Sequence, residues 1–327
     1  MAIPLKILLT TTYSYSKNNV LLTLPQEKTL KRIQYSAKLT NAMKSISFVK
    51  MSGAGNDFIL FDKKDYPALK LDAEIIKKLC DRRNGIGADG IITISDNGKY
   101  DFLMEYFNAD GSTGSLCGNG SRCAIRFAET TGRLKSEDVN FISNGKEYKG
   151  KLINDEKIKF FFNDIEDLEL NISINAYNQL LNASYLDTGS PHVVININNI
   201  LKNQTGTITN LDDVPVFEIG KEIRYLKEFS PGGTNVNFIM IKDNKVYIRT
   251  YERGVENETF ACGTGVAASA VIAFLKYGIH SPVNLITRGG DELIVDFVFQ
   301  ENQIKGLSLT GPAKVTFRGE ISEKVFS

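Results

Sequence analysis

Two stretches, CGNGSRCAIRFAETTG (117–132) and CGTGVAASAVIAFLKYG (262–278), decide how the chain folds. Each opens with a cysteine, turns through Gly-x-Gly, runs on as a helix, and stops at a glycine suited to a left-handed C-cap, Gly132 or Gly278. The second is apolar nearly all round, with Val266, Ala267, Ala268, Ala270, Val271, Ile272, Phe274 and Leu275, so it must lie at the centre of its domain. The likeness extends upstream: YFNADGSTGSLCGNG (106–120) stands against YERGVENETFACGTG (251–265), and NDFIL near 58 is echoed by NVNFIM near 238. Repetition of element order together with residue type indicates two related halves, each with a mixed sheet wrapped on its helix.

Strands dominate what surrounds these helices. ISFVKM, DFILFD, GIITIS, DFLMEYF, KIKFFF, HVVINI, VNFIMI, KVYIRTY, ELIVDFVF and AKVTFRG are alternating or β-branched runs bounded by Gly, Asn and Asp. One further helix is expected over Asp72 to Arg82, with Ile75, Ile76 and Leu79 on its apolar face. The fold class is therefore α+β, two pseudo-symmetric domains that meet at a cleft. A content of 42% hydrophobic and 24% charged residues in 327 suits one large or two ordinary packed domains. Lys and Arg number 39 against 38 Asp and Glu, which gives no basic field for nucleic acid and points to a small-molecule substrate. No apolar run approaches the ~18 residues a membrane span needs.

The first 42 residues differ: Glu27 is their one acidic residue, while Lys6, Lys17, Lys28, Lys31, Arg32 and Lys38 are basic. They read either as a transit peptide or as sequence upstream of the native start at Met43, and are set aside from the fold. The location is accordingly cytoplasmic, or organellar if the extension is a transit peptide.

A cysteine before a glycine-rich turn is open to four readings: metal ligand, half-disulfide, phosphate cradle or acid/base thiol. Cys80, Cys117, Cys123 and Cys262 are too sparse for a disulfide framework. Cys117 and Cys123 lack zinc-knuckle spacing, Cys262 has no paired ligand nearby, and His192 and His280 are the only histidines, so no metal is expected. GIGADG (85–90) spells a dinucleotide fingerprint, but polar residues precede it and a strand follows; it is a turn into a strand. Cys80, beside Ile76 and Leu79, and Cys123, inside its helix, read as core.

Cys117 and Cys262 differ because each sits where a helix begins. Free N–H groups and the positive end of the helix dipole are expected to lower a thiol pKa there, from about 8.5 towards ~3.5 to 7.5. The same groups can hold a carboxylate, and glycine lets the backbone come close. Two such thiols facing across a cleft suit inversion of a stereocentre, one removing a proton from one face while the other delivers to the opposite face.

NADGSTGSLCGNGSRC, TGSPHVV, NVNF and YERGVENETFACGTG, with MSGAGNDFILFD and RRNGIGADGI, together resemble the diaminopimelate epimerase family, over roughly residues 45 to 320. The resemblance implies a cofactor-independent proton transfer that interconverts LL- and meso-diaminopimelate, a step towards lysine and peptidoglycan precursors. It implies Cys117 and Cys262 as the acid/base pair, with His192 and Glu252 beside them. Asn56, Asn108, Asn235 and Arg253 are implied as substrate grips, Arg253 being suited to a bidentate carboxylate contact. Gly118, Asn119, Gly263 and Thr264 fall where backbone amides would hold the reacting carboxylate. Two departures stand out: Ser190 replaces a common asparagine before Pro191-His192, and Gly90 replaces a common glutamine. Outside the motif, His192 would be a turn histidine, Glu252 and Arg253 a surface ion pair, and Asn56 and Asn108 turn residues.

Lobe boundaries are expected at 43–162, with 308–327 returning to that lobe, and 163–307. The partner is a small molecule; nucleic acid and membrane are not expected, and a homodimer is left open. A proline racemase-like enzyme is the nearest alternative, and a non-catalytic binding homologue or a thiol-disulfide redox protein are more distant ones.

Overall fold

The alternation read in the sequence becomes a long run of strands. The computed structural model describes residues 45–114, 117–202 and 206–326, so the extension at 1–42 lies outside the described residues. The first half comprises β1 (Ser45–Gly53), β2 (Asn56–Asp62), α1 (Ala73–Cys80), β3 (Gly90–Ser95), β4 (Phe102–Asn108), α2 (Gly118–Thr130), β5 (Asp138–Ser143), β6 (Lys146–Leu152) and β7 (Lys157–Phe161). The second opens with β8 (Glu166–Ala176), β9 (Gln179–Asp187) and β10 (Pro191–Asn196), then a small ribbon of β11 (Leu201–Lys202) and β12 (Gly206–Thr207). It continues with α3 (Val216–Arg224), β13 (Asn235–Lys242), β14 (Lys245–Glu252), β15 (Asn257–Thr259), α4 (Gly263–Tyr277), β16 (Val283–Ile286), β17 (Glu292–Gln300) and β18 (Gln303–Pro312), after which β19 (Lys314–Ser322) returns to pair with β1.

Pairing order repeats between the halves. In the first, β2 runs parallel to β3, β3 antiparallel to β4, β4 parallel to β5, and β5, β6 and β7 follow as antiparallel neighbours. In the second, β10, β13, β14, β16, β17 and β18 take the same directions in the same order. This order corrects one expectation. NDFIL lies in β2, whose counterpart is β10 with PHVVIN, whereas NVNFIM lies in β13, the counterpart of β3 with GIITIS. The short likeness is offset by one strand, because any half-buried strand entered through an asparagine turn offers similar residues.

Local chemistry sets the helices. Asp72 caps α1 by accepting from the Ile75 amide at 2.8 Å, and Ile75, Ile76, Leu79 and Cys80 form its buried face. Gly278, at φ 69°, ends α4 in the left-handed conformation that glycine adopts without steric cost, and Gly132, at φ 73°, does so just beyond α2. Gly85 to Gly90 is the expected turn into β3, and Gly87 has φ 80°. Residues Gly263 to Ala273 of α4 are all buried, and its alanines let the surrounding strands approach closely. No helix among the described residues is long and apolar enough to cross a membrane.

The halves are stitched by β18, which pairs with β17 on one side and with β7 on the other, Leu309 opposite Phe160. One apolar core is continuous through both, from Phe102 and Phe141 around α2 to Val271 and Leu293 around α4. Phe160 sits at the seam, fully buried, edge-on to Phe162 at 5.1 Å and near Tyr148 at 5.9 Å. Phe160→Ala is expected to lower the unfolding free energy by roughly 3 to 5 kcal/mol, seen as a lower urea midpoint at unchanged slope.

Candidate active site

The two cysteines take nearly the same backbone conformation, φ −119°, ψ 106° at Cys117 and φ −116°, ψ 112° at Cys262, each as the N-cap of its helix. Both line one cavity of about 420 Å³. The first turns of α2 and α4 abut: a Cβ on Gly263 would lie 3.0 Å from Asn119 Oδ1 and 3.4 Å from the Gly118 Cα, so glycine at 263 eases this close approach. The heads of two helices therefore border one space.

The caps are not equivalent in detail. Cys117 Sγ accepts from the Gly120 amide at 3.3 Å, whereas Cys262 Sγ lies 3.4 Å from Thr264 Oγ1. Behind Thr264 runs a buried chain of polar groups. Asn237 is oriented by the Thr250 hydroxyl, which donates to its Oδ1 at 2.9 Å, so its amide nitrogen donates to His192 Nδ1 at 3.1 Å and to the Val193 carbonyl at 3.1 Å. The remaining proton of His192 is then on Nε2, directed at Thr264 Oγ1 2.8 Å away, and the threonine's own proton is free for the sulfur of Cys262. Gly265 permits this contact, since a Cβ there would lie 2.3 Å from Asn237 Oδ1. Burial, helped by Arg253, holds the His192 imidazole neutral, its pKa lowered to about 3.

Thiol acidity departs from the sequence expectation. Burial pushes Cys117 up to about 12, against the smaller opposing effects of the Gly120 amide and Arg122, and pushes Cys262 up as well. Desolvation outweighs the helix ends in so enclosed a space. Glu252, at the end of β14, is close enough for its charge to raise both thiols, and burial lifts its own pKa to about 7 although Thr259 Oγ1 donates to it at 2.7 Å.

Most of the expected substrate contacts meet on this cavity: Asn56, Asn108, Gly118, Arg253, Gly263 and Thr264 line it with Glu252. His192, Asn119, Ser190 and Asn235 stand behind the lining. Asn119 donates to Asn56 Oδ1 at 2.6 Å, which fixes both amides. Asn108 donates to Ser112 Oγ at 3.0 Å. Ser190 Oγ accepts from Asn235 at 3.0 Å and from Arg253 Nη2 at 3.3 Å, and Asn235 Oδ1 accepts from the Arg253 amide at 2.9 Å. The hydroxyl at 190 thus braces the arginine.

Sequence reasoning missed several residues here. Arg82 lines the cavity, but its guanidinium is engaged by Asp57 at 2.8 and 3.0 Å and by Asp89 at 2.6 Å. Arg253, by contrast, makes no ion pair among the described residues, so its charge is available. Cys80, read as core, does pack with Ile76 and Leu79, yet it also reaches the cavity wall. β4 explains the glycine at 90: a Cβ there would lie 2.5 Å from the Phe107 carbonyl oxygen and 2.7 Å from the Tyr106 ring. Among the described residues, no group of three His, Cys, Asp or Glu side chains is arranged to hold a metal.

The sequence model of the family described as diaminopimelate epimerase matches residues 48–160 and 184–316. The chain is 38% identical to the diaminopimelate epimerase of Chlorobaculum tepidum over 275 residues, 83% of this chain and 100% of that one. It is 35% identical to that of Aquifex aeolicus over 298 residues, 86% of this chain and 99% of that one. The fold is shared with a PhzF-family phenazine biosynthesis protein of Bacillus anthracis, TM-score 0.64 at 14% identity, covering 85% of this chain and 99% of that one. It is shared also with a hydroxyproline epimerase of Agrobacterium vitis, TM-score 0.62 at 11% identity, covering 86% and 92%.

A pH dependence follows from Glu252. Its folded pKa of about 7 stands above the ordinary 4.5, so its stabilising contribution is full below 4.5 and is lost as pH rises through 7. Wild type is therefore expected to lose stability relative to Glu252→Gln between about pH 4.5 and 8, by up to a few kcal/mol, in urea unfolding across that range.

Proposed function

Since the chain belongs to the diaminopimelate epimerase family, we propose that this cleft interconverts LL- and meso-diaminopimelate by passing the α-proton between Cys117 and Cys262, without a cofactor. The observation that carries the reading is the pair of cysteine caps, alike in conformation, on one cavity between abutting helix ends. One sulfur, as thiolate, takes the α-hydrogen: the C–H bond breaks, an S–H bond forms, and the electron pair spreads into the adjoining carboxylate. The other sulfur, as thiol, gives its proton to the opposite face. Amides at the heads of α2 and α4 receive the negative charge that develops in between.

The burial that disfavours a thiolate here also makes it a strong base, which suits a weakly acidic carbon. His192 through Thr264 serves Cys262 by offering the threonine proton to the sulfur when it is charged. Glu252, balanced near neutrality, exchanges a proton with a thiol and leaves the net charge of the cleft unchanged. Arg253 takes the distal carboxylate as a fork, held ready by Ser190 and Asn235. A second carboxylate is what separates this substrate from proline-like ones, and an arginine without an anionic partner supports it. The two jaws are the lobe 43–162, completed by 308–327, and the lobe 163–307.

Incubation of LL-diaminopimelate with the protein in deuterated water, followed by proton NMR, is expected to show loss of the α-proton signal together with the meso isomer. Cys117→Ser and Cys262→Ser should each slow epimerisation by roughly 10²- to 10⁴-fold. Arg253→Ala should weaken kcat/KM for diaminopimelate without creating activity on proline. Wild-type rates in either cysteine variant would refute the two-thiol reading.

A further inference from the structure

Arg122 is a buried charge that the mechanism above does not use. It lies inside α2, fully buried, and its guanidinium donates only to neutral acceptors: Asn119 Oδ1 at 2.9 Å and the carbonyls of Gly118 at 3.3 Å, Pro312 at 3.3 Å and Gly53 at 3.4 Å. Among the described residues no carboxylate forms an ion pair with it. Asp291 acts on it only from beyond ion-pair distance, and a buried cation without a close counter-ion is strongly unfavourable, so that a well-packed neutral side chain would serve stability better. Burial lowers even this arginine, to about 10. Such a cost is understandable where the missing anion arrives with the reaction.

Two anions belong beside it. Cys117 is the cap of the same helix, and Arg122 is among the groups that favour its thiolate. Asn119, held by the guanidinium through Oδ1, spans to Asn56 and to the Ala261 carbonyl at 3.2 Å, so the orientation of the abutting helix heads passes through it. We propose that Arg122 is a positioning residue whose counter-ions are the Cys117 thiolate and the carboxylate seated over the first turn of α2. It supplies fixed positive charge from below and locks Asn119 from the side. The inference rests on the two-cysteine reading.

The other titratable groups around Cys117 are Glu252 from β14, Tyr106 from β4, Cys262 at the head of α4 and Cys123 beside Arg122 on α2, and none is altered in the test. The full chain and its Arg122→Gln and Arg122→Lys variants are alkylated with iodoacetamide across pH, and the Cys117 and Cys262 peptides are followed separately by mass spectrometry. Arg122→Gln is expected to move the Cys117 midpoint up by about one pH unit, or to slow its alkylation about tenfold at fixed pH, and to leave Cys262 in place. Arg122→Lys keeps the charge but not the fork, so it should hold the Cys117 midpoint near wild type while lowering kcat on diaminopimelate. An unmoved Cys117 in Arg122→Gln, or both cysteines moving together, would overturn the proposal. If circular dichroism shows Arg122→Gln unfolded, the lysine variant decides: a wild-type midpoint supports the charge and a displaced one refutes it. Because alkylation needs no substrate, a wild-type protein inert towards diaminopimelate would refute the reaction while leaving this readout intact.

Discussion

The cleft depends on two helix N-termini pressed together where Gly118 meets Gly263. Each carries roughly half a positive charge from its unpaired amides, so the like ends repel across the contact of Gly118 with Gly263. The shared apolar core around α2 and α4 and the amide bridge of Asn119 hold them in place. An anion seated between them turns that repulsion into attraction for both. The positive potential of this space is thus a property of the main chain.

Enclosure gives the remaining groups their character. Burial drives both thiols, Tyr106 and His192 towards their neutral forms and leaves Glu252 in the balance near neutrality. The positive groups are differently placed. Arg82 is neutralised by Asp57 and Asp89, while Arg253 and Arg122 make no ion pair among the described residues.

The sequence displayed the halves, the ten strand runs, the helix caps and the cysteines, because these follow from period, glycine and short-range hydrogen bonds. What it concealed depends on register. Asn237 becomes the partner of His192 only because β10 and β13 run parallel with Val194 opposite Asn237. Thr250 orients that amide from a third strand, as the residue paired with Asn237. β4 fills the space at Gly90 by a contact between neighbouring strands. Thiol acidity was misjudged because a helix end is visible in sequence and the depth of enclosure is not. The echo of NDFIL was misplaced for a related reason: five residues of strand carry too little information to locate themselves in a repeated topology.

The last long strand pairs with the first. β19 lies antiparallel along β1 from Ser45 opposite Ser322 to Ser52 opposite Lys314, and Phe48 packs edge-on to Phe317 at 5.9 Å. During synthesis on the ribosome, the outer edge of β1 waits unsatisfied until almost the whole chain has emerged. The seam between β7 and β18 waits nearly as long. Neither half is a finished module that fragments or fusions can borrow, and assembly of the paired cysteine caps is tied to translation of these late strands.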